Sequence, residues 1–116
     1  FIHIDNIPMI LSESDLFVFA SSCENMPVTL IEGMASGLPI ACSDRGPMPE
    51  VLGDGGVYFN PDEPSSIADA IEKLIEDEDL RLRGIEISKQ ISNEYLWKTN
   101  SKKTFNFLVE TFKNFK

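Results

Sequence analysis

The fold is decided by residues 16–43, which have the sequence LFVFASSCENMPVTLIEGMASGLPIACS. The apolar run at 16–20 is short and rich in aromatic and β-branched side chains, which predicts a strand buried on both faces. A second such run covers 39–43. Four apolar side chains between the two runs share one helical face: Val28, Ile31, Met34 and Ala35. Pro27 at the helix start and Gly37 just past its end fit the usual boundaries of a helix. A strand, a helix and a strand with short connections predict parallel strands joined by a right-handed crossover.

Further elements follow this unit. A third strand is predicted at 56–59, and a helix over 64–76 with Ser66 and Asp69 as its cap. That helix is indicated by apolar side chains at helical spacing: Ile67, Ile71, Leu74 and Ile75. A weaker helical pattern covers 78–93. A clear amphipathic pattern ends the chain: Phe105, Leu108, Val109, Phe112 and Phe115.

These elements predict an α/β fold class. We expect a three-layer parallel sheet with flanking helices, followed by C-terminal helices. The apolar residues Phe1, Ile2 and Ile4 are typical of the tail of an earlier strand. Three strands that are buried on both faces need more cover than the predicted helices supply. We therefore expect the chain to be the C-terminal half of a larger doubly wound domain.

Composition excludes several classes of protein. The chain has 116 residues, a globular composition and a formal net charge of −9, which disfavours binding to nucleic acid. The two cysteines, Cys23 and Cys42, allow at most one disulfide, and we expect each to be a small buried side chain in a reducing compartment. The apolar runs are too short for a membrane span, and no signal peptide opens the sequence. A cytoplasmic location is therefore predicted.

Two glutamates, Glu24 and Glu32, follow the first predicted strand with seven residues between them. Ligands of open α/β sheets bind beyond the carboxyl ends of the strands. Thr29, Glu32 and Ser36 share a polar face of the helix. The amides of Val28 and Thr29 lie in its first turn, and we expect them to be free to bind an anion with help from the helix dipole. This order fits a ligand with hydroxyl groups at both ends and phosphate between them, because carboxylates accept hydrogen bonds from hydroxyls. A solvent-facing helix with two unrelated glutamates is the alternative, and spacing alone leaves both open.

Residues 24–39 resemble the Glu-x7-Glu segment of glycosyltransferase family 4, which consists of retaining enzymes of the GT-B fold. The resemblance continues through several further segments in the same order: 15–21, 39–43, 49–54, 56–59, Pro61 and 95–97. It implies a Rossmann-like GT-B domain. It also implies transfer of a sugar from a nucleoside diphosphate sugar to a saccharide or lipid-linked acceptor, in the biosynthesis of polysaccharides or glycoconjugates.

The resemblance assigns the sugar end of the site by matching positions. Glu24 is the expected catalytic residue, since it matches the glutamate that hydrogen-bonds the hydroxyls of the donor sugar. Asn25, Met26 and Pro27 occupy the loop whose backbone faces that sugar. The family more often has glycine and an aromatic residue where Asn25 and Met26 stand, so the bulk and backbone preference of this loop differ.

The resemblance assigns the nucleotide end in the same way. Val28, Thr29 and Leu30 match the helix start that binds the diphosphate, and Glu32 matches the glutamate that holds the ribose hydroxyls. The family's basic residues that contact phosphate lie upstream of this chain. No metal and no cofactor are expected, and the nucleotide sugar enters as a substrate.

Two other features have weaker support. The loop at 44–49 follows the second strand, where Arg45 is a candidate phosphate contact, although an exposed loop arginine is the favoured interpretation. Residues 77–79 have the Asp-x-Asp spacing of some metal-dependent sugar transferases. They belong to an acidic stretch at 62–79, which is typical of a solvated face.

Alternatives to a transferase are a sugar-nucleotide epimerase of GT-B architecture and a non-catalytic α/β binding domain. Asp44 is the strand-end aspartate that a receiver-type domain would use.

As domains, we expect 1–116 to be the C-terminal part of a GT-B nucleotide-sugar-binding domain, without its N-terminal acceptor domain, and 97–116 to be its terminal amphipathic helix. That helix carries five lysines and one glutamate. We expect it to pack on the N-terminal domain, and peripheral contact with a membrane is the alternative.

Overall fold

The computed structural model describes residues 3–115. Three short strands and six helices follow one another along the chain. In order, these elements are α1 (Ile7–Ser12), β1 (Phe17–Phe19), α2 (Val28–Ser36), β2 (Ile40–Ser43), α3 (Met48–Leu52), β3 (Val57–Phe59), α4 (Pro64–Glu76), α5 (Glu78–Ser92) and α6 (Trp97–Asn114). Two 3-10 turns precede α1 and α6, at Ile4–Asn6 and Asn93–Tyr95.

The three strands form one parallel sheet in the order β1-β2-β3. Phe17 pairs with Ile40, and Ala41 pairs with Val57. The predicted parallel pairing is therefore confirmed, and the central strand is the one that follows α2. All four residues of β2 are buried, as expected for a strand that is covered on both faces.

Helices cover the two faces of the sheet separately. Ile40 and Cys42 point into a core that α2, α3 and α5 enclose, whereas Ala41 points to the opposite face and contacts α4. This alternation follows from the two-residue period of a strand. The α/β fold class with three layers is confirmed.

The first strand differs from its prediction. Val18 is 41% exposed, and Phe17 and Phe19 are only half-buried. The expectation that β1 is buried on both faces is wrong, because β1 is an edge of the described sheet and α4 packs against β2 and β3 instead.

Helix boundaries agree with the sequence at α2 and at α4, but the predicted cap of α4 does not. The chain enters α2 at Pro27 and leaves it at Gly37, whose positive φ of 77° closes the helix in the left-handed region. The predicted cap at Ser66 and Asp69 is wrong, since α4 begins two residues earlier, at Pro64. The Ser66 hydroxyl instead accepts a hydrogen bond of 3.0 Å from the Asn60 amide.

The first residues also differ from their prediction. Ile4 lies in a 3-10 turn rather than at the end of a strand, and Phe1 and Ile2 lie outside the described residues. Neither α1 nor α3 was expected. Both are short helices with a proline in the first turn, so they show too few apolar repeats to be identified by periodicity.

The later helices match their patterns. Asp77 caps α5 by accepting a hydrogen bond of 2.9 Å from the Leu80 amide. α6 is amphipathic as predicted, and its large apolar side chains are exposed, Trp97 by 90%. Within residues 3–115, none of the helices combines the length and the apolar character that crossing a membrane requires.

The two cysteines have different environments. Cys42 lies in the core, and burial raises the pKa of its thiol to about 12. Cys23 is an exposed free cysteine in the loop after β1, so the expectation that it is buried is wrong.

Candidate functional site

Three loops meet at one edge of the sheet, because parallel strands place their carboxyl ends together. They follow β1 at residues 20–27, β2 at residues 44–47 and β3 at residues 60–63. Every residue predicted for the donor site lies in the first of these loops or in α2, which begins where that loop ends.

Glu24 lies in the loop after β1 and is half-buried. Its carbonyl oxygen faces the neighbouring loop, where a Cβ atom at Gly46 would lie 4.0 Å from it. Pro27 is fully buried and anchors the end of the loop in the core, whereas Asn25 and Met26 are exposed. The loop therefore has a fixed end at α2 and two exposed side chains, Asn25 and Met26, immediately before that end.

The first turn of α2 contains amide groups that have no partner within the helix. Pro27 precedes the helix without a capping side chain, and the first helical hydrogen bond runs from the Ile31 amide to the Pro27 carbonyl. The amides of Thr29 and Leu30 precede that bond and point out of the helix end. The Val28 amide was expected to be free, which is wrong, because it donates a hydrogen bond of 2.9 Å to the Met26 carbonyl.

Glu32 lies one turn further along α2 and is exposed, together with Thr29 and Ser36 on the same helical face. The structure thus presents the predicted polar face to the surface. Ser36 is occupied within the helix, since its hydroxyl donates to the Gly33 carbonyl at 2.6 Å.

Cavities lie on both sides of Glu32. One of about 510 Å³ separates α2 from α1, and its apolar walls include Ile7, Pro8 and Leu11. Another of about 540 Å³ separates α2 from the start of α6, where Trp97 contributes to its wall. The walls supplied by α1 were missed by sequence reasoning, although Ile7 and Leu11 have the i, i+4 spacing of a helix face.

Arg45 lies at the carboxyl edge, in the loop after β2. Its guanidinium donates to Asn60 Oδ1 at 2.8 Å and to Asp62 Oδ2 at 3.0 Å, and its Nε lies 3.3 Å from Asp44 Oδ1. Arg45 is exposed, as the favoured interpretation expects, with 44% of its side chain accessible to solvent. Its guanidinium is nevertheless paired with an acidic side chain. Asn60 and Asp62 were missed because they lie 15 and 17 residues further along the chain.

In the acidic segment at 77–79, the first residue, Asp77, has a structural role because it caps α5. Among the described residues, no group of three or more histidine, cysteine, aspartate or glutamate side chains is arranged to hold a metal ion.

Residues 1–91 match the family model described as glycosyl transferases group 1. The chain belongs to this family. The expected membership of the chain in this family is confirmed by this match, which spans more than half of the chain.

Curated members of the group 1 glycosyltransferases are similar to the chain. An O-antigen chain mannosyltransferase B from Escherichia coli is 28% identical over 106 residues, which are 88% of this chain and 27% of that protein. An N-acetyl-alpha-D-glucosaminyl L-malate synthase from Bacillus anthracis is 35% identical over 78 residues, which are 66% of this chain and 20% of that protein. The chain thus spans roughly a quarter of the length of these group 1 glycosyltransferases.

A solved structure confirms the fold. The sucrose-phosphate synthase from Thermosynechococcus elongatus superposes with a TM-score of 0.78 at 19% sequence identity, over 90% of this chain and 27% of that one. The group 1 glycosyltransferase domain described here therefore has the GT-B type of α/β architecture that the sequence predicted.

Proposed function

We propose that this chain forms the donor-binding part of a retaining glycosyltransferase that uses a nucleoside diphosphate sugar. The observation that carries the proposal is the order of groups at the carboxyl edge of the sheet. The carboxylate of Glu24, the amides of Thr29 and Leu30 and the carboxylate of Glu32 follow one another from the loop into α2. A sugar, a diphosphate and a ribose follow one another in the same order along a nucleotide sugar.

The amides at the start of α2 bind the diphosphate in this proposal. Thr29 and Leu30 offer two donors at the positive end of the helix dipole, whereas the Val28 amide is already used by the loop. Leu30 contributes only its backbone, because its side chain is fully buried in the core. Val28 and Thr29 are exposed and line the path along which the diphosphate lies.

The two glutamates bind the ends of the donor. Glu24 accepts hydrogen bonds from the hydroxyls of the transferred sugar, and the backbone of Asn25, Met26 and Pro27 encloses that sugar. Glu32 accepts hydrogen bonds from the ribose hydroxyls. The cavity of about 510 Å³ beside Glu32 continues the path, and its apolar walls accommodate the flat face of the base.

Transfer breaks the bond between the anomeric carbon and the diphosphate oxygen, and the electron pair stays on the diphosphate. The acceptor hydroxyl oxygen forms the new bond to that carbon, and its proton passes to the departing diphosphate. Negative charge therefore increases at the amides of Thr29 and Leu30 in the transition state, where preorganised donors stabilise it most. This scheme gives the helix start the role that a metal ion has in other transferases, and we propose that no metal is required.

The acceptor in this proposal is a saccharide or a lipid-linked saccharide, and it is bound mainly by a preceding N-terminal domain. The exposed apolar face of α6 packs on that domain. Peripheral attachment to the inner face of a membrane by α6 is the second interpretation, which its lysines support. Because the chain spans roughly a quarter of its curated relatives, we propose that it binds donors weakly alone and does not turn over.

A sugar-nucleotide epimerase and a non-catalytic binding domain remain the alternatives, and two measurements on the whole protein separate them. Calorimetric titration with nucleoside diphosphates and their sugars tests donor binding, with Glu72→Gln on α4 as the control for Glu32→Gln. Product analysis with a separate saccharide acceptor then distinguishes transfer from epimerisation. Binding without either product would favour the non-catalytic domain, and no binding would contradict the proposed function.

A further inference from the structure

Arg45 joins two loops that belong to neighbouring strands. Its backbone is fixed in the loop after β2, where the Arg45 amide donates to Ser43 Oγ at 3.2 Å and the Arg45 carbonyl accepts from the Met48 amide at 3.3 Å. Its side chain reaches the loop after β3, where it donates to Asn60 and Asp62. We call these two side-chain contacts the Arg45 bridge.

The acceptors of the Arg45 bridge are themselves held in place. The Asn60 amide donates to the Ser66 hydroxyl at 3.0 Å, and Ser66 lies in α4, which packs on the sheet. The Asn60 side chain also accepts from the Asp62 amide at 3.1 Å. Arg45 therefore contacts a preorganised surface, and the loop after β2 is fixed to an element that rests on the core.

The residue after Arg45 adjoins the loop that carries Glu24. Gly46 has a positive φ of 52°, and a Cβ atom there would lie 4.0 Å from the Glu24 carbonyl oxygen, which is ordinary contact distance. The turn at Gly46 therefore lies beside the backbone of Glu24. A displacement of the turn changes the space available to Glu24.

We propose that Arg45 is a positioning residue of the donor site. Through the Arg45 bridge it holds the turn at Gly46 against the backbone of Glu24, and it fixes the direction of the Glu24 carboxylate without contacting the donor. The inference rests on the proposed function, because it assigns Glu24 to the transferred sugar. Displacement of a positioned group by about 1 Å lowers transfer by roughly 10²-fold. A solvent-screened ion pair contributes little to stability, so the main effect of the bridge is expected in catalysis.

The first test measures the bridge in the whole protein without ligand. The amides of Asp44, Arg45 and Met48 each donate a hydrogen bond, so their exchange with deuterium reports on the loop after β2. We expect Arg45→Ala to accelerate exchange at these amides by about tenfold or more while α4 and α5 are unchanged, as in local opening of a loop. Arg83→Ala on α5 is the matched control and leaves the loop unchanged. Unchanged exchange in Arg45→Ala overturns the proposal, whether or not the protein is a transferase.

The second test separates positioning from phosphate binding. With the cognate donor, we expect Arg45→Ala to lower kcat about tenfold or more, while the Kd for the free nucleoside diphosphate stays within about twofold. Arg45→Lys keeps the charge and can reach one acceptor, so its kcat is intermediate. Asp62→Asn should lower kcat no further when it is added to Arg45→Ala, because both substitutions break the same Arg45 bridge.

The outcomes of the second test are distinct. A large loss of free-diphosphate affinity in Arg45→Ala would show direct contact with phosphate and overturn the positioning role. Unchanged kcat would overturn it as well. If the unaltered protein neither binds nucleoside diphosphates nor transfers a sugar, the proposed function fails, and the positioning role in donor transfer fails with it. The exchange experiment then still decides whether the bridge holds the loop.

Discussion

Gly33 of α2 lies directly against the ring of Phe17 in β1. A Cβ atom at Gly33 would lie 2.8 Å from both Cδ1 and Cε1 of that ring, a separation that carbon atoms do not tolerate without movement. Helix α2 therefore rests on the edge strand at a point where only glycine fits. The contact sets the height of α2 above the sheet and, with it, the position of the exposed face that carries Glu32.

Gly33→Ala is expected to lower the free energy of unfolding by about 1 kcal/mol. Overpacking against Phe17 costs about 1–3 kcal/mol, and the better helix propensity of alanine returns about 1 kcal/mol of it. Urea denaturation of the variant measures the difference. Gly33→Ala should lower the free energy of unfolding by less in the Phe17→Leu background than in the unaltered protein, because the smaller side chain leaves room for the new methyl group. A net gain in stability from Gly33→Ala would mean that the ring moves away freely and does not set the spacing.

The layers of the fold were predictable because β2 is covered on both faces. A strand of that kind consists of apolar and small residues without alternation, and the 28–36 helix before it has clear boundaries at Pro27 and Gly37. The exposure of Val18 was not predictable, since it depends on which neighbour β1 has in the sheet. Helix α3 was missed because five residues give no measurable period.

The candidate site was predictable only along the chain. Glu24, the start of α2 and Glu32 are close in sequence, so their order follows from spacing and from the strand–helix pattern. The Arg45 bridge joins loops separated by 15 residues, and no local pattern indicates it. The use of the Val28 amide by the Met26 carbonyl depends on the turn geometry of the loop, which spacing does not determine.

Stability is expected to fall in alkaline solution because of Cys42. Burial raises the pKa of its thiol from 9.0 to about 12, so the unfolded chain loses this proton at a lower pH than the folded one. The stabilisation is complete below pH 9 and decreases as the pH rises towards 12, by at most about 1.4 kcal/mol per pH unit. Burial, with smaller contributions from Cys42 and Asp54, also raises the pKa of Tyr58 from its usual value of 10.0.

Urea denaturation at a series of pH values from 8 to 10 isolates the thiol. Cys42→Ala should be less stable than the unaltered protein at pH 8, because it removes a core side chain, but its stability should depend less on pH. Cys23→Ala is the matched control, since Cys23 is exposed, and it should keep the full dependence. Equal slopes for all three proteins would contradict the assignment to Cys42.

Glu32→Ala in the whole protein is expected to weaken binding of the free nucleoside diphosphate by about 1.5–3 kcal/mol, the range for a hydrogen bond to a charged group. Glu32→Gln should lose less, because the amide oxygen still accepts one hydrogen bond. Isothermal titration calorimetry measures both variants, with Glu72→Ala on α4 as a control for loss of an exposed helix carboxylate. Unchanged affinity in both Glu32 variants would leave Glu32 as a solvent-facing residue.

Glu24→Ala is expected to separate the sugar end of the site from the nucleoside end. Glu24 precedes the amides of Thr29 and Leu30 along the path, and Glu32 follows them, so a bound donor places its sugar at Glu24 and its ribose at Glu32. Glu24→Ala should leave affinity for the free nucleoside diphosphate nearly unchanged. It should lower kcat/KM for transfer by roughly 10²-fold or more, because the sugar loses the contact that orients its anomeric carbon. Titration of the free diphosphate and of the intact donor against Glu24→Ala and Glu32→Ala compares the two ends directly. An equal loss of free-diphosphate affinity in both variants would show that the proposed direction of the donor along α2 is wrong.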